Sequence, residues 1–391
     1  MKKILFFGNG AQMNYVIVKY LRKYTQYEPD LLLQDYNHPI LDHPAWEDVP
    51  VKIPSKIFYT DLGNALKIFN QTIEEKRWSM ADWIKEKKIQ YSITDKFITK
   101  YIDKSHTIKK QIKHYVNDLK KYDFVISDGF GAISAFLARK PYVIRPFGSD
   151  IDINAFDNDY RGSMIRIALK QARAIFAHAY TENLKKLGVD AKRYEISVII
   201  DSEKLKPEIT SKNPIPEFFL ASRLDFKDKG TDKVFRAFAK LLKTFNAHLF
   251  CLEYGTDIQK THDLINSLGL QKNVTFYDFV ASKPVLNQLF NKHDAIIGNL
   301  NYGTVGTTEL EALSCNKPVI AYVKPQTRIE TKLPIMNSFS ENEIYENMKN
   351  VIENRNLPTG MRNFILENFG INSFLKNFKE VLHSNGVDPC F

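Results

Sequence analysis

The residues whose types and spacing carry most chemistry lie between positions 303 and 322, Gly-Thr-Val-Gly-Thr-Thr-Glu-Leu-Glu-Ala-Leu-Ser-Cys-Asn-Lys-Pro-Val-Ile-Ala-Tyr. Gly303 and Gly306 bracket Thr304 and Val305 in a loop that runs into a helical stretch opening with Thr307 and Thr308. Glycine has no Cβ, so this backbone can approach a ligand closely, and the free N–H groups of a helix start turn partial positive charge toward an anion. Glu311, one turn further in, is placed to accept hydrogen bonds from a sugar diol. The Thr308-x-x-Glu311 spacing equally spells a capping box, in which the carboxylate serves only the helix end.

A second constellation is Ala221-Ser222-Arg223-Leu224-Asp225-Phe226-Lys227-Asp228-Lys229-Gly230. A forked guanidinium and a point-charge ammonium in one loop suit a pyrophosphate whose charge grows as a bond to it breaks. Lys229, beside Gly230, is preferred to Lys227 for that role. Glu253-Tyr254-Gly255 ends another strand with a glycine-bearing turn, and residues 277–280, with Phe279, follow a further one.

The first half of the chain offers three glycine-bearing loops. Gly8-Asn9-Gly10 ends the first apolar run and resembles a dinucleotide fingerprint with Asp35 as ribose acid, but Met13 replaces the third glycine and obstructs close helix packing. A nicotinamide site is therefore not expected. Asp128-Gly129-Phe130-Gly131 follows a later run, and Arg145-Pro146-Phe147-Gly148-Ser149-Asp150 follows the next. Asp150-x-Asp152 and Asp157-x-Asp159 spell a motif that can hold a divalent cation, yet carboxylates two apart arise often by chance, and no metal is expected. His178 has no partner pattern for nucleophilic catalysis.

Short apolar runs alternate with helical periodicity twice over, the pattern of parallel sheets built from βαβ units. Strands are predicted at 3–7, 30–33, 124–127, 142–145 and 174–177, then at 218–222, 247–253, 274–277, 295–298 and 319–322. Two doubly wound α/β domains follow, with a junction in the proline-interrupted stretch 204–216. Residues 371–384 read as a last helix with Phe374, Leu375, Phe378, Val381 and Leu382 on one face.

A chain of 391 residues exceeds one ordinary core. Its longest apolar runs fall far short of the ~20 residues of a membrane span. The opening apolar run is broken by Gly8, so no export signal is read, and three cysteines without metal spacing fit a reduced, cytoplasmic compartment. The formal charge of +10 concentrates in residues 66–121, where 14 Lys and Arg face 7 Asp and Glu among interleaved aromatics. Such a segment is either a docking face for an anionic membrane or a solvated helix surface. Nucleic acid is not expected, since no recognised module accompanies the charge.

The block 303–322 resembles the donor loop of glycosyltransferase family 4, with Gly306, Leu310, Glu311, Ala312, Lys317, Pro318, Val319 and Ile320 in register. Gly303 stands where that family has the first of two glutamates, Asn316 where it has glycine, and Phe147 where it often has histidine. The 223–232 segment resembles the family's Arg-Leu-x-x-x-Lys-Gly-x-Asp with one residue more. The resemblance implies a GT-B fold: an acceptor-side domain over 1–205, a donor domain over 206–370, and residues 371–391 crossing back to the first domain, the two Rossmann-like domains facing a cleft. It implies a retaining transfer of a hexosyl unit from a nucleoside diphosphate sugar to a glycan or lipid-linked acceptor, in cell-surface polysaccharide or glycoconjugate synthesis. No cofactor other than that donor is implied. Arg223, Lys229 and Asp150 are then expected in catalysis. Gly303, Thr304, Val305, Gly306, Thr307, Thr308, Glu311, Tyr254, Gly255 and Phe279 are expected on the donor, and Gly8, Asn9, Gly10, Gly129, Gly148 and Ser149 on the cleft and acceptor side. A lipid-linked acceptor would place the enzyme peripherally on the inner membrane face. A sugar-nucleotide 2-epimerase and a non-catalytic sugar-nucleotide or membrane-surface binding protein are the alternative readings.

Overall fold

The computed structural model describes residues 2–10, 13–34, 38–146, 148–176, 181–194, 198–210, 213–324 and 333–386. Its chain separates into two units, one of Met1–Pro44, Ser79–Ile199 and Ile371–Phe391, the other of Ala45–Trp78 and Ile200–Gly370. Residues 45–78 therefore depart from the expected 1–205 boundary and fold with the second unit.

In the first unit seven parallel strands run in the spatial order Ile84–Glu86, Asp30–Leu33, Ile4–Phe7, Phe124–Ser127, Tyr142–Ile144, Ala174–Phe176 and Lys192–Tyr194. Alternation along Ile4–Phe7 sends Leu5 and Phe7 into one apolar layer and Ile4 and Phe6 into the other. A strand buried on both faces reads as an unbroken apolar run, which is why these segments stand out in the sequence. The first layer is closed by helices His106–Leu119, Gly131–Leu137 and Tyr160–Gln171, the second by Met13–Tyr24 and Ile371–Ser384. Phe374, Phe378, Val381 and Leu382 recur at helical spacing and are buried there, with the Phe378 ring 6.1 Å from that of Phe6.

In the second unit six parallel strands follow the order Val274–Tyr277, His248–Leu252, Glu217–Leu220, Ala295–Ile297, Val319–Ala321 and Met336–Asn337. Helix Thr231–Leu241 buries Val234, Phe235, Phe238 and Leu241 against this sheet. Each sheet has one place where chain order reverses, between Ile4–Phe7 and Phe124–Ser127 in the first and between Glu217–Leu220 and Ala295–Ile297 in the second. Loops leaving the carboxyl ends of such neighbouring strands part in opposite directions and open a crevice for a ligand.

The segment Ala45–Trp78 adds a strap to the second unit. Its strand Lys52–Pro54 pairs antiparallel with Phe279–Ala281. Buried Ser282 joins the two through its hydroxyl, which donates to Val49 O (2.8 Å) and accepts from Val51 N–H (2.7 Å). Ser282→Ala leaves both backbone groups without that partner, so urea unfolding of the second unit should lose about 1–3 kcal/mol and proteolysis within residues 45–60 should accelerate. An unchanged midpoint and digestion pattern would show that the strap is held by other contacts.

Candidate functional site

The crevice of the second sheet is built from the loops after Glu217–Leu220 and Ala295–Ile297. In the first loop Asp225 is buried and acts as a frame: it accepts from the N–H of Asp228 at 2.8 Å, and its own N–H donates to the Thr231 hydroxyl at 3.1 Å. Gly230 takes a left-handed conformation (φ +66°), and a Cβ there would meet the Asn301 side chain at 2.8 Å. The two loops are tied together by Leu300 N–H to Lys229 O (3.0 Å) and by Asn301, whose amide donates to Phe226 O and Lys227 O.

Arg223 and Lys229 enter this frame in different states. The half-exposed Arg223 guanidinium bridges Asp225 (3.1 Å) and Asp228 (3.2 Å). Pairs this open to solvent are worth only ~0–1 kcal/mol and are easily exchanged for a stronger anion. The Lys229 ammonium, by contrast, has no hydrogen-bond or ion-pair partner among the described residues. Burial pushes its pKa below the usual lysine range, Glu309 draws it back up, and neighbouring Arg223 lowers it again. A desolvated cation without a bound counter-charge is a strong anion site.

The second loop ends in helix Thr307–Ser314, with Gly306 at its cap. The helix-end role falls to Glu309, not Glu311: the buried Glu309 carboxylate accepts from Gly306 N–H (2.9 Å) and Asn299 N–H (2.7 Å). Glu311 is 4% exposed and takes the Lys283 ammonium on Oε1, while its buried Oε2 has no hydrogen-bond partner among the described residues. This removes the capping-box reading of Glu311. Thr304, Val305, Thr307 and Thr308 remain partly accessible around the helix start. Gly303 (φ +77°) lies against Lys324, whose side-chain carbons would stand 2.5–2.8 Å from an added Cβ, so a glutamate fits there only if Lys324 moves.

Three expected donor residues remain, Gly255, Tyr254 and Phe279. Gly255 (φ +136°) lets the chain pass Leu224, whose backbone a Cβ would meet at 2.3 Å, and Tyr254 O accepts from Leu224 N–H at 2.8 Å. Burial raises the Tyr254 hydroxyl, with Tyr59 of the strap adding to the effect and Arg223 opposing it. Phe279 carries the Lys52 ammonium 4.8 Å from its ring centroid. Its strand is already paired with the strap, and Asp278 O accepts from Ser55 N–H at 2.8 Å. The backbone around Phe279, expected on the donor, is thus partly engaged by the protein itself.

In the first unit the expected loops also converge at a switch point. Gly8 (φ +86°) passes so near Asp128 and Gln34 that a Cβ would lie 2.7 Å from Asp128 Oδ2. Asn9 is fully buried, donating to Asp42 O and accepting from Tyr15 N–H, each at 2.8 Å, and Gly10 follows it partly exposed. Asp150, 1% exposed, accepts from the N–H groups of Gly129 (3.0 Å), Gly148 (3.1 Å) and Ile151 (3.1 Å). That pattern makes Asp150 the organiser of the Gly129 and Gly148–Ser149 loops. Among the described residues no cluster of three or more His, Cys, Asp or Glu is arranged to hold a metal. Asp35, Phe147 and His178 lie outside the described residues.

Sequence reading missed Glu47, Lys283 and Glu309. Glu309 had a signal, a carboxylate three residues after Gly306. Glu47 had none, because it reaches the site through the strap. Glu47 is buried beside Lys283, Glu311, Asp201 and Lys204; burial is the main cause raising its carboxyl to about 8, with Glu311 and Asp201 adding and the two lysines opposing.

Residues 201–332 match the family model described as glycosyl transferases group 1. No curated protein matches the chain. Among solved structures, HepE from Anabaena in complex with UDP-glucose aligns with TM-score 0.67 at 16% identity, covering 98% of this chain and 100% of that one. Sucrose-phosphate synthase from Thermosynechococcus elongatus aligns with TM-score 0.66 at 13% identity over 99% of both chains. The lipopolysaccharide outer core galactosyltransferase WaaB aligns with TM-score 0.59 at 17% identity, covering 98% and 99%. The fold is GT-B, two parallel-sheet α/β domains, and the domain match supports a glycosyltransferase as the class of enzyme.

A group that binds its proton more tightly when folded loses stability for the protein as pH rises from its unfolded toward its folded pKa. For Glu47 that window runs from the ordinary glutamate value to about 8. Wild-type melting temperature should accordingly fall more steeply between pH 5 and 8 than that of Glu47→Gln, which mimics the neutral acid. Parallel slopes would show that Glu47 is ionised in the fold.

Proposed function

We propose that the chain is a retaining hexosyltransferase, taking its sugar from a nucleoside diphosphate donor and passing it to a glycan or lipid-linked acceptor, with the donor held in the second unit. The observation that carries this is the Lys229 ammonium, without a hydrogen-bond or ion-pair partner among the described residues, beside the weakly paired Arg223 at the switch point of the sheet. A diphosphate placed there displaces Asp225 and Asp228 from Arg223 and supplies Lys229 with a counter-charge. The Gly303–Thr308 backbone then faces phosphate and sugar, and Glu311 accepts from the ribose. That HepE is described in complex with UDP and with UDP-glucose favours a uridine donor.

In the transfer the bond between the anomeric carbon and the β-phosphate oxygen breaks as the acceptor oxygen bonds to that carbon on the same face. The acceptor proton passes to the departing phosphate, whose charge Arg223 and Lys229 stabilise. No carboxylate nucleophile is required. Arg223→Ala and Lys229→Ala should each lower kcat by on the order of a hundredfold while weakening UDP less, since the charge they neutralise grows in the transition state. Lys227→Ala should change kcat less than threefold or so by the same reasoning. Turnover assays with UDP-glucose and UDP-galactose against UDP binding measure this, and unaltered kcat in both variants removes the phosphate assignment.

A peripheral membrane role is proposed with a changed footprint. The basic stretch 66–121 is continuous only in sequence, since 66–78 folds with the second unit and the rest with the first. Lys85, Lys87, Lys88, Lys109, Lys110 and Lys121 are ion-paired to nearby carboxylates. Helix Ile93–Tyr101 instead exposes Ile93, Phe97 and Tyr101, followed by Ile102, beside Lys96, Lys100 and Lys104, which have no ion pair among the described residues. An apolar face with unpaired lysines beside it suits an anionic bilayer surface. Reversing those three lysines to glutamate should abolish sedimentation with acidic liposomes and leave UDP affinity intact; wild-type protein that ignores such liposomes at low salt sinks the membrane role.

A further inference from the structure

Glu311 and Lys283 form an enclosed ion pair in the second unit, with side chains 5% and 17% exposed. Lys283 opens helix Lys283–Lys292, and the preceding Ser282 is fixed by its two hydrogen bonds to the strap. The ammonium is therefore delivered from a position that the protein holds rigidly. It engages Oε1 of Glu311 and leaves Oε2, buried and without a hydrogen-bond partner among the described residues. An interior acceptor in that condition carries a desolvation cost until a donor reaches it. A ribose diol brings such hydroxyls.

We propose that Lys283 is a positioning residue for donor recognition, holding Glu311 by one oxygen so that the other is kept for the ribose hydroxyls. The inference rests on the reading of Glu311 as the ribose acceptor and adds to it a residue that does not touch the donor. Two buried carboxyls, Glu47 and Glu311, share this one lysine with direct hydrogen bonding only to Glu311. Burial raises both carboxyls and Lys283 opposes it in both, but the direct hydrogen bond from Lys283 favours the negative charge at Glu311. Without Lys283 the buried Glu311 would take up a proton itself, since an uncompensated carboxylate in the interior costs more than protonation. A neutral acid is a weaker acceptor than a carboxylate, so ribose preference would fall while the diphosphate contacts of Arg223 and Lys229 stayed in place.

The test uses the full chain and isothermal titration with UDP, GDP, ADP and CDP, each against its 2′,3′-dideoxy counterpart. Wild-type protein should prefer the ribose form of its best nucleotide by on the order of tenfold or more, the worth of a hydrogen bond to a charged group. Lys283→Met should collapse that ratio to below about threefold with little change in dideoxy affinity, and Lys283→Arg should restore part of it. Melting curves without nucleotide establish that each variant is folded, and Lys283→Gln replaces Lys283→Met, with the same expected collapse, if the methionine variant is not. Equal weakening of both nucleotide forms with the ratio preserved would mean a merely structural lysine and overturn the proposal. A ratio abolished by Glu311→Gln but kept by Lys283→Met overturns the positioning role alone. A wild-type ratio near one, or one that survives Glu311→Gln, overturns the ribose reading and this inference with it.

Discussion

The site depends on the parallel pairing of Glu217–Leu220 with Ala295–Ile297, because the chain leaves these neighbours in opposite directions. Two loops that diverge from adjacent strands cannot satisfy each other along their whole length, and a crevice lined by backbone is the result. Here the loops are rejoined at one level only. Leu300 N–H takes the carbonyl of Lys229, and the Asn301 side chain accepts from Lys233 (2.6 Å) while donating to Phe226 O and Lys227 O. The backbone of Lys229 is thereby fixed while its ammonium has no hydrogen-bond or ion-pair partner among the described residues. Gly230 is the hinge of the arrangement, since its left-handed φ and its closeness to Asn301 leave no room for a side chain.

What the sequence made legible was whatever is local. Buried strands such as Phe124–Ser127 and Val319–Ala321 are short apolar runs bounded by turn residues, and the final helix shows its core face at Phe374, Phe378, Val381 and Leu382. The strap was not legible for a physical reason. Lys52–Pro54 is three residues long, ends in a proline, and finds its partner at Phe279–Ala281, more than two hundred residues on. No periodicity in residues 45–78 distinguishes packing on one unit from packing on the other. The same nonlocality hid Glu47, which meets Lys283 and Glu311 only once the strap has docked.

Counting charges misled for a related reason. The surplus in residues 66–121 is a correct sum, but a sum does not record partners, and Asp30, Asp95, Asp103 and Asp118 sit where they neutralise several of the lysines. Asp30 lies outside the counted segment altogether. The electrostatic footprint that remains is narrower, and one part of it, Lys96, Lys100 and Lys104, lies beside the exposed apolar side chains of one short helix.

Glu309 and Glu311 show how finely a single helix end can divide labour. Residues two apart on a helix project about 200° from each other, so these carboxylates face different surroundings although they are sequence neighbours. Glu309 turns toward the loop, occupies the N–H groups of Gly306 and Asn299, and offsets the burial that depresses Lys229. Glu311 turns inward to Lys283 and retains an unused oxygen. With glycine at the cap position the reciprocal half of a capping box does not exist, and Glu309 supplies the other half by accepting from Gly306 N–H. That leaves Glu311 free of the helix-end role, and its burial is then not explained by helix stability: a carboxylate held inside by one oxygen, on a lysine it shares with Glu47, is the arrangement on which the proposed ribose contact rests.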